Sequence, residues 1–187
     1  MKAMVLERIA AVDERPLNMV DLPDPEPGPG EIRVRVSACG VCRTDLHVIE
    51  GDLPQHTLPI IPGHQVVGRV DALGPRVSGF APGDRVGVAW LRGTCGSCEY
   101  CLRGTENLCP DSRYTGYHEN GGYAELAVVP EGFAYPIPAG FDDVQAAPLL
   151  CAGIIGYRAL QRAEVPPGGR LALYGFGSSA SVVIQIA

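Results

Sequence analysis

Residues 31–47 read EIRVRVSACGVCRTDLH. In the first half Ile32, Val34 and Val36 alternate with Glu31, Arg33 and Arg35, the two-residue period of a strand with one buried face. The alternation stops at Cys39 and Gly40. Beyond it, CRTDLHVIEG (42–51) reads as one short helix with Cys42, Leu46 and Ile49 near one face. Likewise, HQVVGRVDAL (64–73), DRVGVAWL (84–91) and GGYAELAVVP (121–130) are strand-like and bounded by Gly, Pro or Asp. The 24 glycines and 17 prolines are spread between such runs, as turns in a β-rich fold are. The prediction is a mainly β, irregular, barrel-like domain with a few short helices.

Near residue 141 the pattern changes. FDDVQAAPLLCAGIIGYRALQRA (141–163) sets two Asp residues at a helix start and runs helically to Ala163, with a break at Pro148. PPGG (166–169) is a turn, RLALY (170–174) an apolar strand, GFGSSA (175–180) a glycine turn and SVVIQIA (181–187) a helix opening. Strand, glycine turn and helix form a different architecture, so the boundary is placed near residue 152.

Composition excludes several classes. The net charge of −6 and the absence of any Lys/Arg run argue against a nucleic-acid partner. Glu7 and Arg8 break the N-terminal apolar run, so it is not a secretory signal. No stretch approaches the roughly 18 apolar residues that span a bilayer. The expectation is a cytoplasmic protein with no membrane partner. Seven cysteines in a reducing compartment point to metal or redox chemistry rather than disulfides.

Four of those cysteines, Cys95, Cys98, Cys101 and Cys109, lie within CGSCEYCLRGTENLC (95–109) with the spacing C-x2-C-x2-C-x7-C. Tight turns can set four thiolates tetrahedrally around Zn²⁺, and a closed four-thiolate site is structural. An iron–sulfur cluster also takes four cysteines, but the spacing differs from its usual runs. Cys42, His64 and Cys151 are not united by spacing. Each alone reads as a buried thiol or a hydrogen-bonded histidine.

A family resemblance unites them. ACGVCRTDLHVIEGDLP (38–54), LPIIPGHQVVGRV (58–70), GDRVGVAWL (83–91), the four-cysteine lobe, GGYAEL (121–126), LLCAGIIGYRAL (149–160) and YGFGSSA (174–180) come in the order seen in zinc-dependent medium-chain alcohol dehydrogenases. The resemblance implies a GroES-like barrel over 1–152, with a structural-zinc lobe at about 93–112, followed over 153–187 by the start of a Rossmann α/β domain. It also implies a catalytic zinc on Cys42, His64 and Cys151, with one position left to water or substrate; this ligand set is recognised from the family, not read from spacing. Cys39 is left as an unligated core thiol.

Further roles follow from the same resemblance. Thr44 takes the alcohol proton and passes it through the cofactor ribose to His47, histidine being the side chain that ordinarily titrates near neutrality. Asp45 orients the ring of His64, and Arg43 lies where some relatives contact the cofactor pyrophosphate. Gly175, Gly177 and Ala180 form G-x-G-x-x-A between strand and helix, the phosphate-binding turn of a dinucleotide site. Trp90 matches a pocket aromatic, and Leu53 stands where some small-alcohol enzymes have tryptophan. His56 and His118 carry no motif and are expected at the surface.

Two departures stand out. Gln65 occupies a position where the family usually has Glu. The chain also ends at Ala187, before the acidic residue expected about 20 positions past the glycine turn. The implied function is oxidation of primary alcohols, or reduction of aldehydes, with zinc and a nicotinamide cofactor, NAD in preference to NADP. It would belong to a homo-oligomeric protein about twice this length, these 187 residues alone being inactive. The alternatives are a zinc-stabilised module that has lost the chemistry, and a zinc-free quinone reductase. The latter needs none of the ligands present.

Overall fold

The computed structural model describes residues 1–54 and 57–187; the expectation of a surface histidine at His56 lies outside the described residues. In chain order the elements are β1 (Lys2–Leu6), β2 (Leu17–Asp21), β3 (Glu31–Cys39), α1 (Arg43–Glu50), β4 (Val66–Leu73), β5 (Arg85–Val88) and β6 (Leu91–Gly93). There follow α2 (Glu99–Leu102), β7 (Arg113–Tyr114), β8 (Leu126–Pro130), β9 (Ala134–Pro136), α3 (Asp143–Ala146), α4 (Ala152–Ala163) and α5 (Ser178–Ile186). Five strands form one antiparallel sheet in the order β8-β3-β4-β5-β9, curled into half a barrel. β1 pairs with β2, and β6 with β7, as separate ribbons.

The alternation in 31–36 sets the first core. Ile32 and Val34 are buried with Val66, Val70, Val86, Val88, Val129 and Ala134. Val67, on the opposite face of β4 from Val66, packs with Ala89, Ala146, Ala147 and Leu150. Both faces of β4 are therefore covered, which is why HQVVGRV carries two adjacent valines. On the outer face Asp71 accepts from Arg33 at 2.8 Å and Arg35 at 2.7 Å. The Arg35 hydrogen bond leads in holding this carboxyl below the usual range.

Differences from the sequence expectation have local causes. The helical run over 141–163 is split: α3 is capped by Asp142, a 3₁₀ turn follows over Ala147–Leu150 with Pro148 inside it, and α4 starts only after Cys151. Residues 121–124 do not extend β8, because this stretch is hydrogen-bonded onto residues 61–63 and β1, whereas the Glu125 carbonyl still accepts the Val36 N–H of β3. The expected strand at 170–174 does not form: the segment is irregular, bends at Tyr174 and pairs with no described strand. A strand needs a neighbour to take its N–H and C=O groups, and no described strand lies beside it. No helix among the described residues is long and apolar enough to cross a membrane.

Candidate metal centres and active site

α1 begins on a cysteine. Cys42 is its N-cap, its Sγ accepting the Thr44 N–H at 3.3 Å. The Asp45 carboxylate reaches back with Oδ2 to the Cys42 N–H at 2.8 Å, so the first turn is locked from both sides. The other oxygen, Oδ1, lies 3.1 Å from His64 Nδ1. Asp45 and His64 are each 1% exposed. One buried carboxylate thus fixes the backbone of Cys42 and the ring of His64 together. His64 Nε2 in turn lies 3.4 Å from Cys42 Sγ.

Cys151 completes the group. It sits at the break between the 3₁₀ turn and α4, where an irregular backbone turns its sulfur toward the other two. The donor atoms of Cys42, His64 and Cys151 all lie within 4.8 Å of one another. A hydrogen bond from Cys151 draws the Cys42 thiol down to about 3, against burial and with help from His64 and the Thr44 N–H. Cys151, the donor of that pair, is pushed up. Burial opposes protonation of His64, but its bonds to Asp45 and Cys42 prevail and lift it to about 9. Donors that contend for protons in this way are the kind a divalent cation deprotonates on binding.

Cys95, Cys98, Cys101 and Cys109 form a second group within the same 4.8 Å limit. They lie on an excursion from the β6–β7 ribbon. Cys98 and Cys101 are 3.5 Å apart, Cys95 and Cys109 3.6 Å, and Cys95 and Cys101 4.0 Å. Tetrahedral zinc, with sulfur at about 2.3 Å and imidazole nitrogen at about 2.0–2.1 Å, separates its donors by roughly 3.5–3.8 Å. Both groups fit that size. One has four donors and is closed; the other has three.

The remaining predicted residues fall around these groups. Thr44 lies on the first turn of α1. His47 is on its last turn, half-exposed, with Nδ1 2.7 Å from Asp52 Oδ2. Arg43 is exposed and makes no ion pair among the described residues. Gly175 takes φ +84°, a conformation open to glycine, and Gly177 is the N-cap of α5, its carbonyl accepting the Ser181 N–H. Ala180 lies on α5. Cys39 ends β3 against the main core, and burial pushes its thiol up to about 12. Leu53 and Trp90 both pack on the cluster of Leu6, Val48, Ile49 and Ile60.

His118 is a correction. Expected at the surface, it is half-buried, its Nδ1 accepts the Tyr114 N–H at 3.2 Å, and its ring stacks on Tyr114. Tyr114 stacks on Trp90 at 4.8 Å, and Trp90 meets His64 edge-on at 4.9 Å. Tyr117 closes this aromatic group. The sequence signal was present in the aromatic spacing of RYTGYH (113–118).

Gln65, 2% exposed, fills the space above Gly40, where a Cβ would lie 2.2 Å from its Oε1. Replacing it with alanine in the full-length protein is expected to leave zinc content unchanged and to alter turnover only modestly. Metal analysis beside steady-state kinetics checks this, and loss of an ion from Gln65→Ala would refute it.

Known proteins resemble this chain along its whole length. The family model of the alcohol dehydrogenase GroES-like domain matches residues 28–139. The chain is 57% identical to a probable alcohol dehydrogenase, AdhA, of Mycobacterium tuberculosis (strain CDC 1551 / Oshkosh), an alignment covering 100% of this chain and 56% of that protein. A thermostable alcohol dehydrogenase from Pyrobaculum aerophilum, solved with cobalt and zinc bound, superposes with a TM-score of 0.90 at 33% identity, over 100% of this chain and 55% of that one. A solved NAD-dependent alcohol dehydrogenase gives 0.87 at 35% identity, over 100% and 54%. The chain spans about half the length of the curated relatives it matches. Its fold, its two clusters of donors and these matches lead to one conclusion: the chain belongs to the zinc-dependent medium-chain alcohol dehydrogenase family.

Proposed function

We propose that the full-length protein carrying this chain oxidises primary alcohols to aldehydes, and the reverse, with a nicotinamide cofactor and two zinc ions. The observation that carries the proposal is the convergence of Cys42, His64 and Cys151 from three distant segments onto one point. Three protein donors in place of four are the mark of a catalytic rather than a structural zinc site, and Cys42, His64 and Cys151 would hold that ion. Zinc bound there supplies a Lewis acid that polarises a carbonyl oxygen and eases loss of a hydroxyl proton.

The chain's own residues do the rest. The two thiolates balance the cation's charge, and Asp45 holds His64 and Cys42 in place. The Thr44 hydroxyl, two residues after Cys42, would take the substrate hydroxyl proton while giving up its own toward His47, so it relays the proton and stays neutral. His47, at the solvent edge of α1 and paired with Asp52, delivers it to water. Trp90, Tyr114, Tyr117 and Leu53 exclude water from the alcohol chain. Gly175, Gly177 and Ala180 offer the free N–H groups of α5 to the cofactor phosphates, with Arg43 as a further cation for them. Cys95, Cys98, Cys101 and Cys109 hold the structural ion.

NAD is proposed in preference to NADP, as in the solved NAD-dependent relative, although similar folds have been solved with NADP and NADP(H). A cytoplasmic homo-oligomer is proposed; its seven free thiols suit a reducing compartment. The test uses the full-length protein. Metal analysis should return two zinc ions per chain, and a panel of primary alcohols should reduce NAD faster than NADP. One ion per chain without turnover would identify a zinc-stabilised module instead and refute the proposal.

A further inference from the structure

The turn that presents His64 is held from behind by residues 121–123. The Gly121 N–H donates to the Ile61 carbonyl at 2.7 Å, that of Gly122 to Gly63 at 2.9 Å and that of Tyr123 to Pro62 at 3.0 Å. The approach is close enough to require glycine: a Cβ on Gly121 would lie 2.0 Å from the Gly63 carbonyl oxygen. Gly63 itself has φ +95°, and a Cβ there would meet the Tyr123 ring at 2.6 Å and Cys39 Sγ at 2.9 Å. The phenol ring is therefore pressed against the residue that precedes His64.

The Tyr123 hydroxyl is buried and reaches no acceptor in hydrogen-bond geometry among the described residues. A phenylalanine would fill the same space without the cost of a stranded donor. Asp45 is the nearby acceptor: burial leads in pushing the Tyr123 phenol up, followed by the Asp45 charge, with a hydroxyl–carboxylate contact to Asp45 that falls short of hydrogen-bond geometry also contributing. The carboxylate has spare acceptor capacity, since Oδ1 serves His64, Oδ2 serves the Cys42 N–H, and a carboxylate offers about four lone-pair sites.

We propose that Tyr123 is a positioning residue for His64, its buried hydroxyl donating a third hydrogen bond to Asp45 once Cys42, His64 and Cys151 hold a divalent cation. The proposal rests on the metal-site reading above. With its ring braced by Gly63 and its hydroxyl on Asp45, Tyr123 would resist rotation of the carboxylate away from His64 Nδ1. Partners of this kind, one step removed from the metal, commonly change affinity about 10- to 100-fold.

The test is Tyr123→Phe in the full-length protein, alone and combined with Asp45→Asn. Zinc affinity is read by chelator competition, and the site's geometry by the visible spectrum of the cobalt-substituted protein. Tyr123→Phe should weaken the site of Cys42, His64 and Cys151 about 10-fold, shift the cobalt bands, and leave the four-cysteine site unchanged. In the Asp45→Asn background the same substitution should have no further effect, because its route through the carboxylate is gone. Unchanged affinity and spectrum in Tyr123→Phe, with two ions still bound to the parent protein, would overturn this inference alone. Fully additive losses in the double variant would also overturn it. A parent protein that holds only the lobe ion would overturn both this inference and the proposed function.

Discussion

Cys109→Ser is expected to remove one zinc ion from the full-length protein and to open residues 93–112 to trypsin at Arg103, while the second ion stays bound. Cys109 is the one core residue that this lobe contains, at 3% exposure; Leu102 and Leu108 face outward. α2 has four residues and the following 3₁₀ turn three, too short to stand without tertiary support. With almost no apolar burial, an ion cross-linking the four sulfurs would be what orders the segment. Serine leaves a weaker donor in the buried corner. Cleavage after Arg103 should quicken by at least about tenfold, equivalent to about 1.4 kcal/mol of easier local opening. The five-stranded sheet should hold, because the lobe branches from the separate β6–β7 ribbon. Metal analysis and timed proteolysis read the two effects. A Cys109→Ser protein with two ions and parental resistance would show that the lobe stands on its own packing.

Asp45→Asn should weaken the other site about 10- to 100-fold, leaving the lobe ion untouched. The size follows from counting acceptors. The carboxylate gives one oxygen to the Cys42 N–H and one to His64 Nδ1. Asparagine has a single oxygen and an NH₂ group, so one of the two contacts must set donor against donor. If the NH₂ faces His64, the ring is driven to the tautomer with its proton on Nε2, the nitrogen nearest Cys42, and that nitrogen can no longer coordinate. If it faces Cys42, the cap is lost. A buried donor without an acceptor costs about 1–3 kcal/mol, roughly 5- to 150-fold in an equilibrium constant, which spans the expected range. Chelator competition measures it. Unaltered affinity would show that the carboxylate only caps α1.

Much of this was legible in the residues. The alternation of 31–36 pointed to β3, and the four close cysteines to the lobe's donor group, because both signals are local. The grouping of Cys42, His64 and Cys151 was not local. It depends on β3, β4 and the break at Cys151 meeting in space, and only the order of family motifs pointed to it. The aromatic group around His118 escaped because stacking on Trp90 joins segments 24 or more residues apart. The strand expected at 170–174 failed for a different reason: its composition is right, but strand pairing belongs to two partners and only one is described. Asp45 was expected to serve His64; its second bond, to the Cys42 N–H, follows from the capping geometry of α1.

That geometry has a thermodynamic corollary. On the proposed metal site the sulfur that caps the start of α1 would also hold the cation, so fraying of the first helical turn and ion release would share one free-energy cycle. Amide proton exchange at Thr44 and Asp45 should consequently quicken as the ion is titrated away. Two backbone amides then become a gauge of site occupancy, readable even where no turnover can be measured.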